Sequence, residues 1–279
     1  MKRRAWFRLR WVGVAFILLW TVIPLYWAIN TSLQTDAQVS SKPSHYLPPT
    51  PTLRNFRLLF SGSGGSVSGI PRATLNIFIE CGAATIITVV LASMAAFAFS
   101  RMTFRGSKVF FYAVLATMAF PTYTTLIPLY KIMTWLQLVN TYTGIVLVYV
   151  SGFLPLATWI LYSYMSSLPL ALEEAGAVDG AGRMRVFWHI MLPLARPGIL
   201  STGIITFLFA WAQFLFPLVL SNDLATQPLT VTIAALQGRH VVPYSLMSAA
   251  GVYALIVPAI IALILNRYIV SGLLSGSVK

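Results

Sequence analysis

Few side chains in this 279-residue chain could do covalent or acid–base chemistry: six Asp+Glu, three His and one Cys. His45, His189 and His240 are scattered, no Cys/His set has metal-ligand spacing, and no nucleophile stands beside an evident base. Neither catalytic residues nor a metal site is expected on that pattern. The glycine-rich stretch at 62–69 lacks the Lys-Ser/Thr of a phosphate-cradling loop. Cys81 sits in an apolar run with no second cysteine, so no internal disulfide can form. Two places remain. Glu80 is a carboxylate inside an apolar run, a functional-site candidate by default, with a pair to Arg72 or to another subunit as its other reading. The second place is the stretch Leu168 to Pro193, which gathers Glu173, Glu174, Asp179 and Arg183 around Ala175, Gly176 and Gly180.

The elements that carry these residues must lie in lipid. Hydrophobic residues make up 58% and charged residues 9% of the chain, against about 25% charged in an ordinary soluble domain. A spanning helix needs about 20 apolar residues. Runs of that length extend from Trp11 to Thr35, Ala73 to Ser100, Val109 to Tyr130, Pro197 to Asn222 and His240 to Asn266. A longer run, Ile132 to Leu172, bends near Asn140-Thr141 and spans from Thr143 to Tyr164. The expectation is an all-α membrane protein with six transmembrane helices. The first run is long and no small-residue cleavage site follows it, so it reads as a retained span.

Orientation follows from the cations. Thirteen of the 19 Lys and Arg fall on the side of both termini, five of them in the first ten residues, against six (Lys42, Arg54, Arg57, Arg72, Lys131, Arg239) on the other. Both termini are therefore expected in the cytoplasm, and the net charge of +13 is a topology signal rather than a sign of nucleic-acid binding. The parts are then a basic N-terminus (1–10), a first span (11–35), an external segment (36–72), a five-helix core (73–268) with its loop at about 166–197, and a cytoplasmic tail (269–279). The external segment, with Pro48-Pro49-Thr50-Pro51 and the glycine-rich stretch, reads as an extended linker.

The loop itself reads as two short helices around a turn. Ser167 is a candidate cap, Pro169 suits a helix start, and Glu173 and Glu174 sit in the first turns where negative charge is favoured. Asp179-Gly180 supplies the turn. Arg183, Val186, Phe187, Ile190 and Met191 then recur at helical spacing as an amphipathic stripe. Two roles stay open on these grounds: an interfacial loop packed on its own bundle, or a contact for another protein.

At these residues a resemblance enters. Glu174-Ala175-Gly176, then Gly180 after three residues, then Ile190-Met191-Leu192-Pro193 after nine more, resembles the "EAA" signature of the permease subunits of bacterial ATP-binding-cassette (ABC) importers. Gly176 replaces the second alanine. Arg101 to Lys108, Ile127 to Tyr130, Asn140 to Gly144 and Arg267 to Lys279 are similar to stretches of the carbohydrate-importer permeases, above all the six-span partner subunit of the maltose and glycerol-phosphate type. A further departure is the stretch Trp211-Ala212-Gln213-Phe214, where that family often has Asn after Trp.

The resemblance implies the type I importer permease fold, with the loop as a coupling helix. It also implies a bacterial inner-membrane complex with a second permease, two ATPase subunits and an extracytoplasmic solute-binding protein. No cofactor would be bound by this chain, ATP and Mg being used by the ATPase. Glu174 would contact the ATPase, Ala175 and Gly176 would allow close seating, Gly180 the turn, and Ile190, Leu192 and Pro193 the anchor. Glu173, Asp179 and Arg183 belong to the same coupling set. Sugar, oligosaccharide or polyol is the expected cargo, with a non-sugar solute such as polyamine, or a stand-alone proton-coupled carrier using Glu80, as alternatives. Tyr123, Trp211, Gln213 and Phe214, with Glu80, are the candidates for the pathway or a subunit interface. Most aromatics also fit interface belts and helix packing. Prolines at 24, 121, 128, 155, 217 and 258 suit helices that bend, and are also common in membrane helices.

Overall fold

The computed structural model describes residues 2–61, 69–237 and 242–275, with side chains between residues 10 and 265. Arg239, His240, most of the glycine-rich stretch and the side chains of Arg267 and the 269–279 tail lie outside the described residues. Among the described residues every regular element is helical.

Four helices are long and apolar enough to cross a membrane: α1 (Lys2–Ser32), α4 (Ile70–Arg101), α7 (Tyr142–Ser166) and α14 (Tyr244–Ser275). Two more crossings arise only if bent pairs count as one span each. The first joins α5 (Ser107–Ala116) and its 3-10 turn (Thr117–Ala119) to α6 (Thr122–Trp135) through a bend of 101°. Pro121 explains that bend, because a residue before proline is pushed out of helical geometry and Phe120 is extended at ψ 125. The expected straight run from Val109 to Tyr130 is therefore two helices. The second joins the helical stretch Arg183–Leu194 to α11 (Arg196–Trp211) through a bend of 74°. The run expected from Pro197 to Asn222 also breaks after α11: α12 (Leu215–Leu220) resumes after Phe214, and α13 (Leu229–Ala235) follows.

The chain divides into two compact units, Met1–Pro71 with Thr232–Ile256, and Arg72–Val231 with Val257–Lys279. In the first unit the expected linker is partly folded. Two short helices, α2 (Asp36–Val39) and α3 (Arg54–Ser61), form there. Thr35 and Gln38 make a reciprocal capping box on α2. Buried Asn55 donates to the carbonyls of Ser32 and Gln34, both at 2.8 Å, and Asp36 accepts the Ser245 amide at 3.0 Å. Short polar side chains that satisfy backbone groups hold this segment, which a scan for apolar period does not register.

In the second unit α7 is the central helix, with Tyr149, Ala157, Leu161 and Met165 buried. Its start accounts for the Asn140 to Gly144 stretch. Asn140 is left-handed at φ 59 and its side-chain oxygen accepts the Asn222 amide at 2.7 Å. Thr141 caps α7 by accepting the Gly144 amide at 3.1 Å. A Cβ on Gly144 would lie 2.1 Å from the Leu138 carbonyl oxygen, so only glycine fits. Nearby, the Tyr142 hydroxyl donates to Asn76 at 2.6 Å, and Asn76 donates to the Gln227 carbonyl at 2.9 Å.

Candidate functional site

The Leu168 to Pro193 stretch folds as α8 (Ala171–Val178), a turn, and α9 (Arg183–Val186), which runs on through a π-helical turn Phe187–Met191 into α10 (Leu192–Leu194). Ser167 does not cap α8. It is the C-cap of α7, and its hydroxyl donates to the Tyr164 carbonyl. Leu170 occupies the cap position of α8 without a side-chain bond, and Glu173 and Glu174 complement the positive end of the helix instead.

The end of α8 is a full Schellman motif. The Ala181 amide donates to Gly176 O at 2.9 Å and the Gly180 amide to Ala177 O at 3.0 Å. This geometry needs a left-handed residue after the cap, and Gly180 supplies it at φ 77. Gly176 is the one buried residue of α8, and a Cβ there would lie 2.7 Å from the Ile190 δ-methyl. The glycine that replaces alanine in the signature thus lets α8 close on the following helix within this chain.

The second half of the loop is an anchor. Val186, Phe187 and Met191 are buried in a core with Ala92, Ala96 and Phe97 of α4 and Leu161 and Met165 of α7. Ile190 and Leu192 pack on that core half-buried, and Pro193 stands at the start of α10. Arg183, placed on the stripe by its spacing, is exposed. Val186, Phe187 and Met191 of the expected stripe thus reach the core, and the π turn runs from Phe187 to Met191 along it.

Arg101, at the end of α4, ties the loop to the bundle. It pairs with Glu173 at 2.9 Å, and its guanidinium also donates to the carbonyls of Met165 and of Leu168, the latter at 2.7 Å. Side-chain exposures of 8% and 15% make this a largely buried pair. The clamp was not evident from sequence, where Arg101 reads as one more cation of a basic turn. The two neighbouring glutamates therefore differ: Glu173 is held inside, whereas Glu174 is exposed along one ridge with Ala175 and Val178. Val178 is 88% exposed, and Asp179 is also open.

The remaining site residues are spread out. Glu80 is fully buried on α4, and neither carboxylate oxygen has a hydrogen-bond partner among the described residues. The alternative pair with Arg72 is not made, because Arg72 donates to the Tyr142 hydroxyl and the Ala225 carbonyl. Tyr123 is 78% exposed. Trp211 is only 4% exposed and lies edge-on to Phe78 with centroids 5.1 Å apart, a packing residue of the core. Gln213 and Phe214 occupy the break after α11, where the Gln213 carbonyl accepts the Thr230 hydroxyl at 2.8 Å.

Comparison with known proteins gives its family. Residues 88–275 match the model of the binding-protein-dependent transport system inner membrane component, and the chain belongs to that family. The sulfoquinovosyl glycerol transport system permease protein SmoH of Agrobacterium fabrum is 32% identical over 97% of this chain and 93% of its own length. The trehalose/maltose transport system permease protein MalG of Thermococcus litoralis is 34% identical over 96% and 95%. The crystal structure of a bacterial ABC transporter involved in the import of the acidic polysaccharide alginate contains a chain with the same fold. Its TM-score is 0.80, with 20% identity over 96% of this chain and 97% of that one.

Proposed function

We propose that this chain is one of two different permease subunits of an ATP-driven importer that carries a sugar, an oligosaccharide or a related polyol. In this reading six spans place both termini in the cytoplasm, and the Leu168 to Pro193 loop seats in a groove of an ATPase subunit. An extracytoplasmic solute-binding protein delivers cargo, and ATP with Mg is used by the ATPase pair. SmoH is named for a sulfoquinovosyl glycerol transport system and MalG for a trehalose/maltose one, which supports the cargo class.

The observation that carries the coupling role is the division of labour within the loop. Glu174, Ala175 and Val178 form an exposed, low ridge on α8, with Asp179 beside it, while the residues from Val186 to Met191 fasten the same unit into the core. A ridge of small side chains lets another surface approach closely, and Glu174 offers a charge for its rim. Glu173, Gly176, Gly180, Ile190, Leu192 and Pro193 hold the ridge in place. Displacement of the ridge would be transmitted to α4 and α7 through a packed interior that does not compress.

Purification of the tagged chain in mild detergent from its native membranes, with mass identification of what comes with it, tests this. An ATPase and a second permease are expected. A chain that emerges alone, with uptake that continues without an ATPase and is lost in Glu80→Gln, would establish the carrier reading instead.

A further inference from the structure

The bend between α5 and α6 opens a groove against the middle of α7 and the broken end of α11, with a volume of about 460 Å³. This is within the size range of small-ligand sites. Helices that break inside a membrane do so where they line a cavity or are buried in protein. Four phenylalanines, Phe120, Phe153, Phe209 and Phe216, form its apolar wall. Phe153 and Phe209 face one another with ring centroids 6.4 Å apart.

Three of its four hydroxyls have a definite sense, and the fourth, on Thr122, is free to donate or accept. Ser151 donates its hydroxyl proton to Val148 O at 2.8 Å, Thr125 to Thr122 O at 2.9 Å and Thr117 to Val114 O at 2.6 Å. A hydroxyl whose proton is committed to its own helix still has lone pairs to accept with. These three side chains thus offer acceptors to a solute. Among the described residues lining the groove none is ionisable. The first-turn amides of α6 add only partial positive charge, which is too little to neutralise a full anion.

We infer that this groove is a saccharide-binding surface within the translocation pathway and that it takes uncharged sugars. Aromatic faces stack on the C–H faces of a pyranose, and the Ser and Thr oxygens accept from its hydroxyls. A uronate or sulfonate would meet no cation to balance its charge, and an ammonium would meet no carboxylate. This inference rests on the importer reading and narrows its cargo.

The test uses the whole complex purified through this chain and reconstituted in liposomes with its binding protein. Cys81, the one native cysteine, is buried. A cysteine placed by Ser151→Cys can then be followed with a membrane-impermeant methanethiosulfonate. The probes are maltose, trehalose and N,N′-diacetylchitobiose as neutral sugars, a diuronate and a sulfonated glycoside as anions, and spermidine as a cation.

At least one neutral disaccharide is expected to slow the labelling about fivefold, with no effect from the charged probes. Phe153→Ala is expected to lower uptake of that sugar by about the same factor, as loss of one aromatic contact would. Three results would overturn the inference: a cysteine unreactive in every nucleotide state, which would mean that a partner helix fills the groove; protection by a charged probe; or no protection by any of the neutral sugars. Loss of the co-purifying ATPase would sink the importer reading itself, whereas a failed labelling test with the ATPase retained sinks only the groove.

Discussion

The two helical halves of the Leu168 to Pro193 loop have opposite fates. On α8 only Gly176 is buried, while Glu174, Ala175 and Val178 stand open. On α9 and its π turn, Val186, Phe187 and Met191 are all within the core. Bulk marks the half that anchors and small size the half that stays free. The contrast reaches down to adjacent residues, since Glu173 is clamped by Arg101 and Glu174 is not. The coupling role proposed above would need both: a face that another protein can reach, and a root that cannot move independently of the bundle.

Substitutions can break this contrast from either side. The largest effect is expected at the root. Phe187→Ala leaves a cavity in a packed core at a cost of about 3–5 kcal/mol. Membrane abundance and thermal unfolding in detergent should both fall, and uptake should fall in proportion to the protein lost. Arg101→Ala should cost about 3 kcal/mol, because it strands the Glu173 carboxylate and two carbonyls in a largely buried site. Combining it with Glu173→Ala should restore part of that loss, and a double-mutant cycle in unfolding measurements reads the coupling.

Effects at the free half should appear in transport more than in stability. Gly180→Val forces a β-branched residue into a left-handed turn, at about 1–3 kcal/mol of local strain. Uptake should be lost with insertion intact, whereas Gly180→Asn, which tolerates that conformation, should keep most of it. Glu174→Lys should shift unfolding by less than about 0.5 kcal/mol, as an exposed site does, while an ATPase no longer co-purifies. If Glu174→Lys removed the protein from the membrane, the ridge would be a packing surface after all. The smallest change is expected for Gly176→Ala. Its gain in helix propensity of up to about 1 kcal/mol opposes the displacement of the Ile190 methyl, so unfolding and uptake should both stay near those of the parent.

Much of this was legible in the residues. The helical membrane class follows from apolar runs, and the loop from a motif whose spacing spells out a helix, a left-handed turn and an anchor. The breaks were harder to see. Pro121 was visible as a proline, and the second break falls at Ala212 to Phe214, just before Pro217, yet an apolar count treats both sides of each as one run. The Asp36 to Ser61 segment looked like a linker because its order comes from single hydrogen bonds at Asn55 and Asp36, and these have no periodic signature.

By itself the sequence determined which solvent surrounds each helix, where the loop must turn and why Gly180 stands there, because these depend on local chemistry and on period. Only the tertiary structure decided which of two adjacent glutamates is held and which is free, that Gly176 lies under Ile190, and that Trp211 is a core residue. It also decided that a groove without ionisable lining opens at the bend after α5. The reason is that these are pairings between residues on different helices, well separated along the chain. Close packing of α4, α7 and α11 selects those pairings, and hydropathy measures only the preference of each helix for lipid over water.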